Sequence, residues 1–175
     1  VATGMNLPLQ TMLNLARESQ PLSQLSWWVT SHLYSKSPER LFGLESTFAA
    51  GSDKAVPDQI PVIEMLKDDL REAFRCGTDA AALEFALLAK PWGFRLNDIN
   101  IPVYVWHGEE DKNTPVSMGK YLAKTLPNCH AVFLKREGHD LIYRHWAEIL
   151  STVVSQDETE STTSSGTPWF ASHNI

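Results

Sequence analysis

The chain has 175 residues, 43% of them apolar and 21% charged, a composition that excludes disordered, collagen-like and fibrous classes. No uninterrupted apolar run reaches the roughly 18 residues a membrane span needs. With a net charge of −6 and its basic residues scattered without a stripe, the chain is a poor candidate for binding nucleic acid.

Cys76 and Cys129 lie far apart without a Cys-x-x-Cys pair or a ligand-like His cluster. They read as ordinary thiols of a reducing compartment, which favours the cytoplasm, with a single disulfide between them as the alternative. The opening Val1-Ala2-Thr3-Gly4 has neither a charged n-region nor an apolar h-region, so the expectation is a start that was processed away or lies upstream.

In chain order, Leu9, Met12, Leu13 and Ala16 fall at i, i+3, i+4 and i+7 and predict a helix ending before Pro21. Leu25, Trp28, Val29 and Leu33 repeat that spacing in a second helix. Ser37 then Pro38 reads as an N-cap and a favoured first helical residue, opening a shorter helix to about Phe48. Ala49 to Asp58, with Gly51, Ser52, Asp53 and Pro57, has the chemistry of a loop. Between Pro61 and Arg75, Ile63, Leu66, Leu70, Ala73 and Phe74 share one face and charges occupy the rest, which predicts a helix. Gly77 can stop it, and Asp79 can cap an Ala- and Leu-rich successor running to Lys90.

The period then changes. Ile101 to Trp106 is a β-branched and aromatic run, the pattern of a strand buried on both faces of a parallel sheet, with Pro102 near its start. A loop, His107 to Asn113, leads to Thr114 as N-cap and Pro115 as first residue of the next helix. Ala131 to Leu134 forms a second buried strand, followed by the loop Glu137-Gly138-His139. A last helix carries Ile142, Trp146, Ile149, Leu150 and Val153 on one face. Beyond Val154 the Ser-, Thr- and acid-rich composition predicts a disordered tail, in which Pro168-Trp169-Phe170 reads as a frayed terminus.

Two strands are fewer than a stable sheet needs, so further strands are expected N-terminal to Val1, with an all-helical bundle bearing a β appendage as the alternative. Open α/β sheets place their sites beyond the carboxyl ends of their strands. Asp111 follows the first strand here and His139 the second. A carboxylate there can accept from one imidazole nitrogen and leave the other as a base.

Pro102 through Asp111 to Pro115-Val116, then Leu126-Pro127, then Glu137-Gly138-His139, resembles the C-terminal end of the α/β-hydrolase-fold family. The resemblance covers Ile101 to Leu150, and more weakly Ile60 to Phe94, where Pro91-Trp92-Gly93-Phe94 looks like the end of a helical cap. It implies an α/β fold class: a mostly helical cap region over residues 1–92, then β-α-β-α of an incomplete parallel sheet over 93–154, then the Ser/Thr-rich tail over 155–175. It also implies a nucleophile, acid and histidine in that chain order, with Asp111 as the acid and His139 as the histidine. The substrate class implied is a small molecule carrying an ester, amide or similar bond, and no cofactor is called for. An acid placed after an earlier strand, as in some members, would leave Asp111 structural.

The family's Gly-x-Ser-x-Gly elbow does not occur in this sequence. Ser117, in Pro115-Val116-Ser117-Met118-Gly119, follows the acid and reads as a surface helix residue. Without a nucleophile these residues by themselves are expected to be inactive. An aspartate-nucleophile branch of the fold, of the epoxide hydrolase and dehalogenase kind, and a non-catalytic binding protein on the same scaffold are the alternatives. A metal reading of His107, Glu109, Asp111 and His139 lacks any fixed ligand spacing. His107 is expected to pack or hydrogen-bond at the strand end. Trp27, Trp28, Phe42 and Trp92 either pack the helical half or line an apolar pocket.

Overall fold

The computed structural model describes residues 4–37, 43, 47–55 and 60–163. The helix expected over Pro38 to Phe48 falls largely outside them, as does Pro168-Trp169-Phe170. The chain divides into one unit over residues 1–141 and another over residues 142–175.

The first unit begins with helices α1 (Leu7–Glu18) and α2 (Gln20–Lys36). The Asn6 side chain caps α1 by accepting the Leu9 N–H at 2.9 Å. Ser19, in an extended conformation, returns its N–H to Leu15 and ends that helix. Pro21 then stands in the first turn of α2, where its missing N–H costs no intrahelical bond. Helix α3 (Ile60–Ala73) stops short of Gly77, whose φ of 100° is a conformation that only glycine adopts freely. Helix α4 (Asp79–Leu88) starts from Thr78 as N-cap, so Asp79 is its first residue and not its cap. Helices α1, α2 and α4 pack pairwise. Trp27 of α2 anchors this helical half, edge-on to Phe85 at 4.8 Å and tilted against Phe74 at 6.1 Å.

Strand β1 (Val103–Gly108) and strand β2 (Cys129–Leu134) pair in parallel through the crossover helix α5 (Val116–Thr125). The strands begin and end in step, Val103 opposite Cys129 and Gly108 opposite Leu134. Pro102 precedes β1, so no ladder hydrogen bond is lost. The expectation of strands buried on both faces is not met: β1 is half-buried, and His130, Ala131 and Val132 of β2 are exposed. Full burial needs a neighbour on each edge and a layer on each face. Among the described residues β1 and β2 pair only with each other, so the architecture is mostly helical with a small parallel α/β element. Cys76 and Cys129 are free thiols.

Helix α6 (Ile142–Thr163) makes up the described part of the second unit. It runs into the stretch where the composition predicts a tail.

Gly108, the buried last residue of β1, has the backbone of residues 137 and 138 lying against it, and a Cβ there would overlap the carbonyl oxygens of both Glu137 and Gly138. Gly108→Ala is therefore expected to destabilise the protein by about 1–3 kcal/mol. An unchanged urea midpoint would show that this close approach does not occur in solution.

Candidate active site

Because the two strands end opposite each other, the loops that follow them leave from the same sheet edge. Backbone hydrogen bonds join those loops: Glu109 donates to the Leu134 carbonyl at 2.9 Å and Glu110 to the Glu137 carbonyl at 2.9 Å. The chain then turns at Asp111, whose N–H reaches back to the Gly108 carbonyl at 3.3 Å.

The Asp111 carboxylate is buried, its side chain 5% exposed. Oδ1 accepts the backbone N–H groups of Asn113 at 2.8 Å and Thr114 at 2.9 Å, and Oδ2 accepts the Thr114 hydroxyl at 2.7 Å. A carboxylate is short enough to close this local turn on its own backbone. The remaining lone pair of Oδ2 faces His139 Nδ1 at 3.0 Å. Every acceptor site is thus used by a geometry that leaves the carboxylate no freedom to rotate.

An ionised carboxylate only accepts, so Nδ1 of His139 carries the proton that it donates to Asp111. In the neutral ring Nε2 is then the unprotonated nitrogen. No hydrogen bond to Nε2 occurs among the described residues, and the imidazole side chain is 44% exposed. The pair comprises a fixed, buried carboxylate and an accessible base.

The protonation equilibria follow. Burial by itself would raise the Asp111 carboxyl, but the hydrogen bonds from His139 and Thr114 outweigh it and hold the group below the usual carboxylate range. His139 is raised above the ordinary histidine value, first by its hydrogen bond to Asp111 and against a contrary effect of burial. The depressed Asp111 contributes stability above the ordinary carboxylate range that is lost as pH falls through its folded-state pKa. The raised His139 contributes stability fully present below about pH 6.5 and lost as pH climbs through its folded-state pKa. The pair supports the fold best between those two limits.

Neighbouring residues hold the acid loop from outside. Asn6 donates its backbone N–H to the Lys112 carbonyl at 2.6 Å and its side-chain amide to Asn113 Oδ1 at 2.5 Å, so one asparagine both caps α1 and grips this loop. His107 donates from Nε2 to the Thr114 carbonyl at 2.8 Å, the strand-end hydrogen bond expected of it. Gly119 of α5 leaves room for its ring, since a Cβ there would strike it.

Sequence reasoning pointed to Asp111 and His139, and the fold brings them together. Thr114 is not the cap of α5 that its place before Pro115 suggests; Pro115 holds that position, and the Thr114 hydroxyl is spent on Asp111. The Asp-x-x-Thr spacing carried a signal for this, because an aspartate readily folds back onto residues two and three ahead. Asp53 gave no local signal. It stands in a stretch with the composition of a loop, yet it is buried, with its carboxylate on the backbone N–H groups of His139 and Asp140. Ser117 is an exposed residue of α5, as expected. Among the described residues no group of three or more His, Cys, Asp or Glu side chains is arranged to hold a metal ion.

The aromatic residues do not converge on one pocket. Trp27 packs inward, whereas Trp28, about 100° further round the helix, stacks on His32 and lines a groove of about 360 Å³ between α2 and α3. That groove includes neither Asp111 nor His139. Trp92 stacks with Phe94, and Phe42 lies outside the described residues.

The site makes a measurable claim about ionisation. In an NMR titration the His139 imidazole is expected to ionise above the ordinary histidine value, and Asp111→Asn to lower that value. A His139 titration at or below the ordinary value in the unsubstituted protein would contradict the pairing.

No known family profile matches the chain, and no curated protein does. Among solved structures it is similar to the crystal structure of a bromoperoxidase from Bacillus anthracis, an enzyme of the α/β-hydrolase fold. The TM-score is 0.50 at 18% identity, over 76% of this chain and 47% of that one. The chain therefore spans about half the length of this neighbour. At that identity the likeness concerns the fold, and the fold it indicates is a partial α/β-hydrolase architecture.

Proposed function

We propose that the protein is a hydrolase of the α/β-hydrolase fold, cleaving an ester, amide or similar bond of a small molecule through a nucleophile, Asp111 and His139. One observation carries the reading: a buried carboxylate with all its acceptor sites occupied meets His139 Nδ1 at 3.0 Å, and the other ring nitrogen stays accessible. The fold likeness supports it, because it concerns an architecture in which an acid and a histidine follow successive strands.

The sequence contains no Gly-x-Ser-x-Gly, so the nucleophile is to be sought in the coding sequence upstream of Val1. In the proposed reaction a hydroxyl loses its proton to His139 Nε2 as its oxygen bonds to the substrate's carbonyl carbon. Asp111 holds the ring in the tautomer that makes Nε2 a base and stabilises the imidazolium that forms. Collapse of the tetrahedral intermediate breaks the bond to the leaving group, which takes the proton from Nε2. Water then repeats the sequence on the acyl-enzyme and releases the acid. Residues 1–92 are proposed to form the cap over this site.

In the full-length protein, His139→Ala and Asp111→Asn are each expected to lower kcat by about three to four orders of magnitude. The kcat/KM of the unsubstituted enzyme falls as pH drops below the raised His139 pKa, because Nε2 must be unprotonated to act as a base. Full turnover by His139→Ala would sink the reading. A strand, a Gly-x-Ser-x-Gly elbow and a helix upstream of Val1 would supply the missing partner. An aspartate at that elbow would shift the proposal to the branch in which the same histidine activates water.

A further inference from the structure

Asp53 belongs to a short 3-10 turn, Asp53–Ala55, far from His139 in sequence, and it is 6% exposed. Buried carboxylates are rare unless their charge is met. This one is met by backbone: Oδ2 accepts the His139 N–H at 3.0 Å and Oδ1 the Asp140 N–H at 3.1 Å. Those two donors open the 3-10 turn His139–Leu141 and have no partner within it, so Asp53 acts as a remote cap. The carboxylate also closes directly over Gly138, where a Cβ would run into all three of its heavy atoms. Gly138 needs no positive φ, so Asp53 is what restricts that position to glycine.

The backbone of residues 138–140 is thereby held from two sides. Asp53 grips its N–H groups, and the Glu137 carbonyl, one residue earlier, accepts from Glu110 in the acid loop. What projects from this clamped backbone is the imidazole that meets Asp111. Its reach is set where its main chain is set.

We propose that Asp53 is a positioning residue of the site, a carboxylate from the helical half that fixes the His139 backbone so that Nδ1 lies on Asp111. The assignment rests on the proposed triad for its catalytic consequence, but not for its geometry. Asp53 touches no reacting atom and acts only through His139. It accounts for the glycine before the histidine, which would otherwise have no conformational reason to be there.

The test reads the imidazole directly, so it does not depend on knowing the substrate. In the full-length protein the downfield Nδ1 proton of His139 is followed by NMR across pH. Asp53→Asn keeps one acceptor and presents an N–H to another N–H. It is expected to broaden or shift that resonance; the pH at which the ring ionises falls as well, in part through loss of the Asp53 charge itself, so the titration of the charge-conserving Gly138→Ala carries the positional reading. Gly138→Ala is expected to disturb the resonance and the titration in the same sense with Asp53 in place, because its Cβ displaces the carboxylate, and to add little further disturbance in an Asp53→Ala background, where there is no carboxylate left to displace. Should Asp53→Ala fail to fold, the Gly138→Ala comparison is made against Asp53→Ser, whose shorter side chain vacates the space beside residue 138. With p-nitrophenyl acetate as probe, Asp53→Asn is expected to reduce kcat about 10- to 100-fold with little change in KM. An unaltered Nδ1 resonance and titration in folded Asp53→Asn would overturn the inference, as would strictly additive effects at 53 and 138. If the imidazole responds as expected while His139→Ala retains turnover, the clamp stands and the triad reading fails.

Discussion

The arrangement rests on the in-step parallel pairing of β1 and β2. With Gly108 opposite Leu134, both chains leave the sheet at the same level, and a loop of each can bond to the other within a few residues. Side chains alternate faces along a strand, so a slip of one residue would turn each strand's pattern over and offset the two loops. Everything placed beyond that edge, including the contact of Asp111 with His139, inherits its position from this register.

Around that edge the polar groups divide their work. Thr114 and the turn's own amides fill the acceptor sites of Asp111 that His139 does not use, which keeps a carboxylate ionised although burial opposes its charge. Asn6 holds the far side of the same loop, and His107 ties the Thr114 carbonyl to the end of β1. A buried polar network of this kind contributes only when its members are satisfied together, and here each anchor restricts another. Three glycines make it sterically possible: Gly108 admits the histidine loop, Gly119 admits the His107 ring and Gly138 admits the Asp53 carboxylate.

The helical half contributes in two ways that its sequence pattern does not distinguish. Trp27 and its aromatic neighbours supply packing, whereas Leu25, Trp28, Val29 and Leu33, the face that the apolar spacing assigns to α2, are exposed. Asp53 supplies the backbone of the histidine with acceptors, in the proposed role of a positioning residue. A lone acidic residue among Gly, Ser and Lys looks like solvated loop, because nothing in a window of neighbouring residues records a partner so far along the chain.

The sequence by itself determined the helices, since apolar spacing and capping chemistry act within a few residues, and it determined the order of two β-branched runs each followed by an acid- or histidine-bearing loop. Asp111 and His139 were legible for that reason: their candidacy follows from strand order and needs no contact to be known. The fold alone decided the rest. It moved the first strand from Ile101–Trp106 to Val103–Gly108, lengthened the second at its start to Cys129, and left them half-exposed, because pairing sets where a strand runs and burial depends on which layers cover a sheet. It moved Thr114 from a helix cap to the carboxylate, because two local bonding options compete and the surrounding geometry chooses. It brought Asp53 to His139, a contact between distant segments that exists only once the chain has closed on itself.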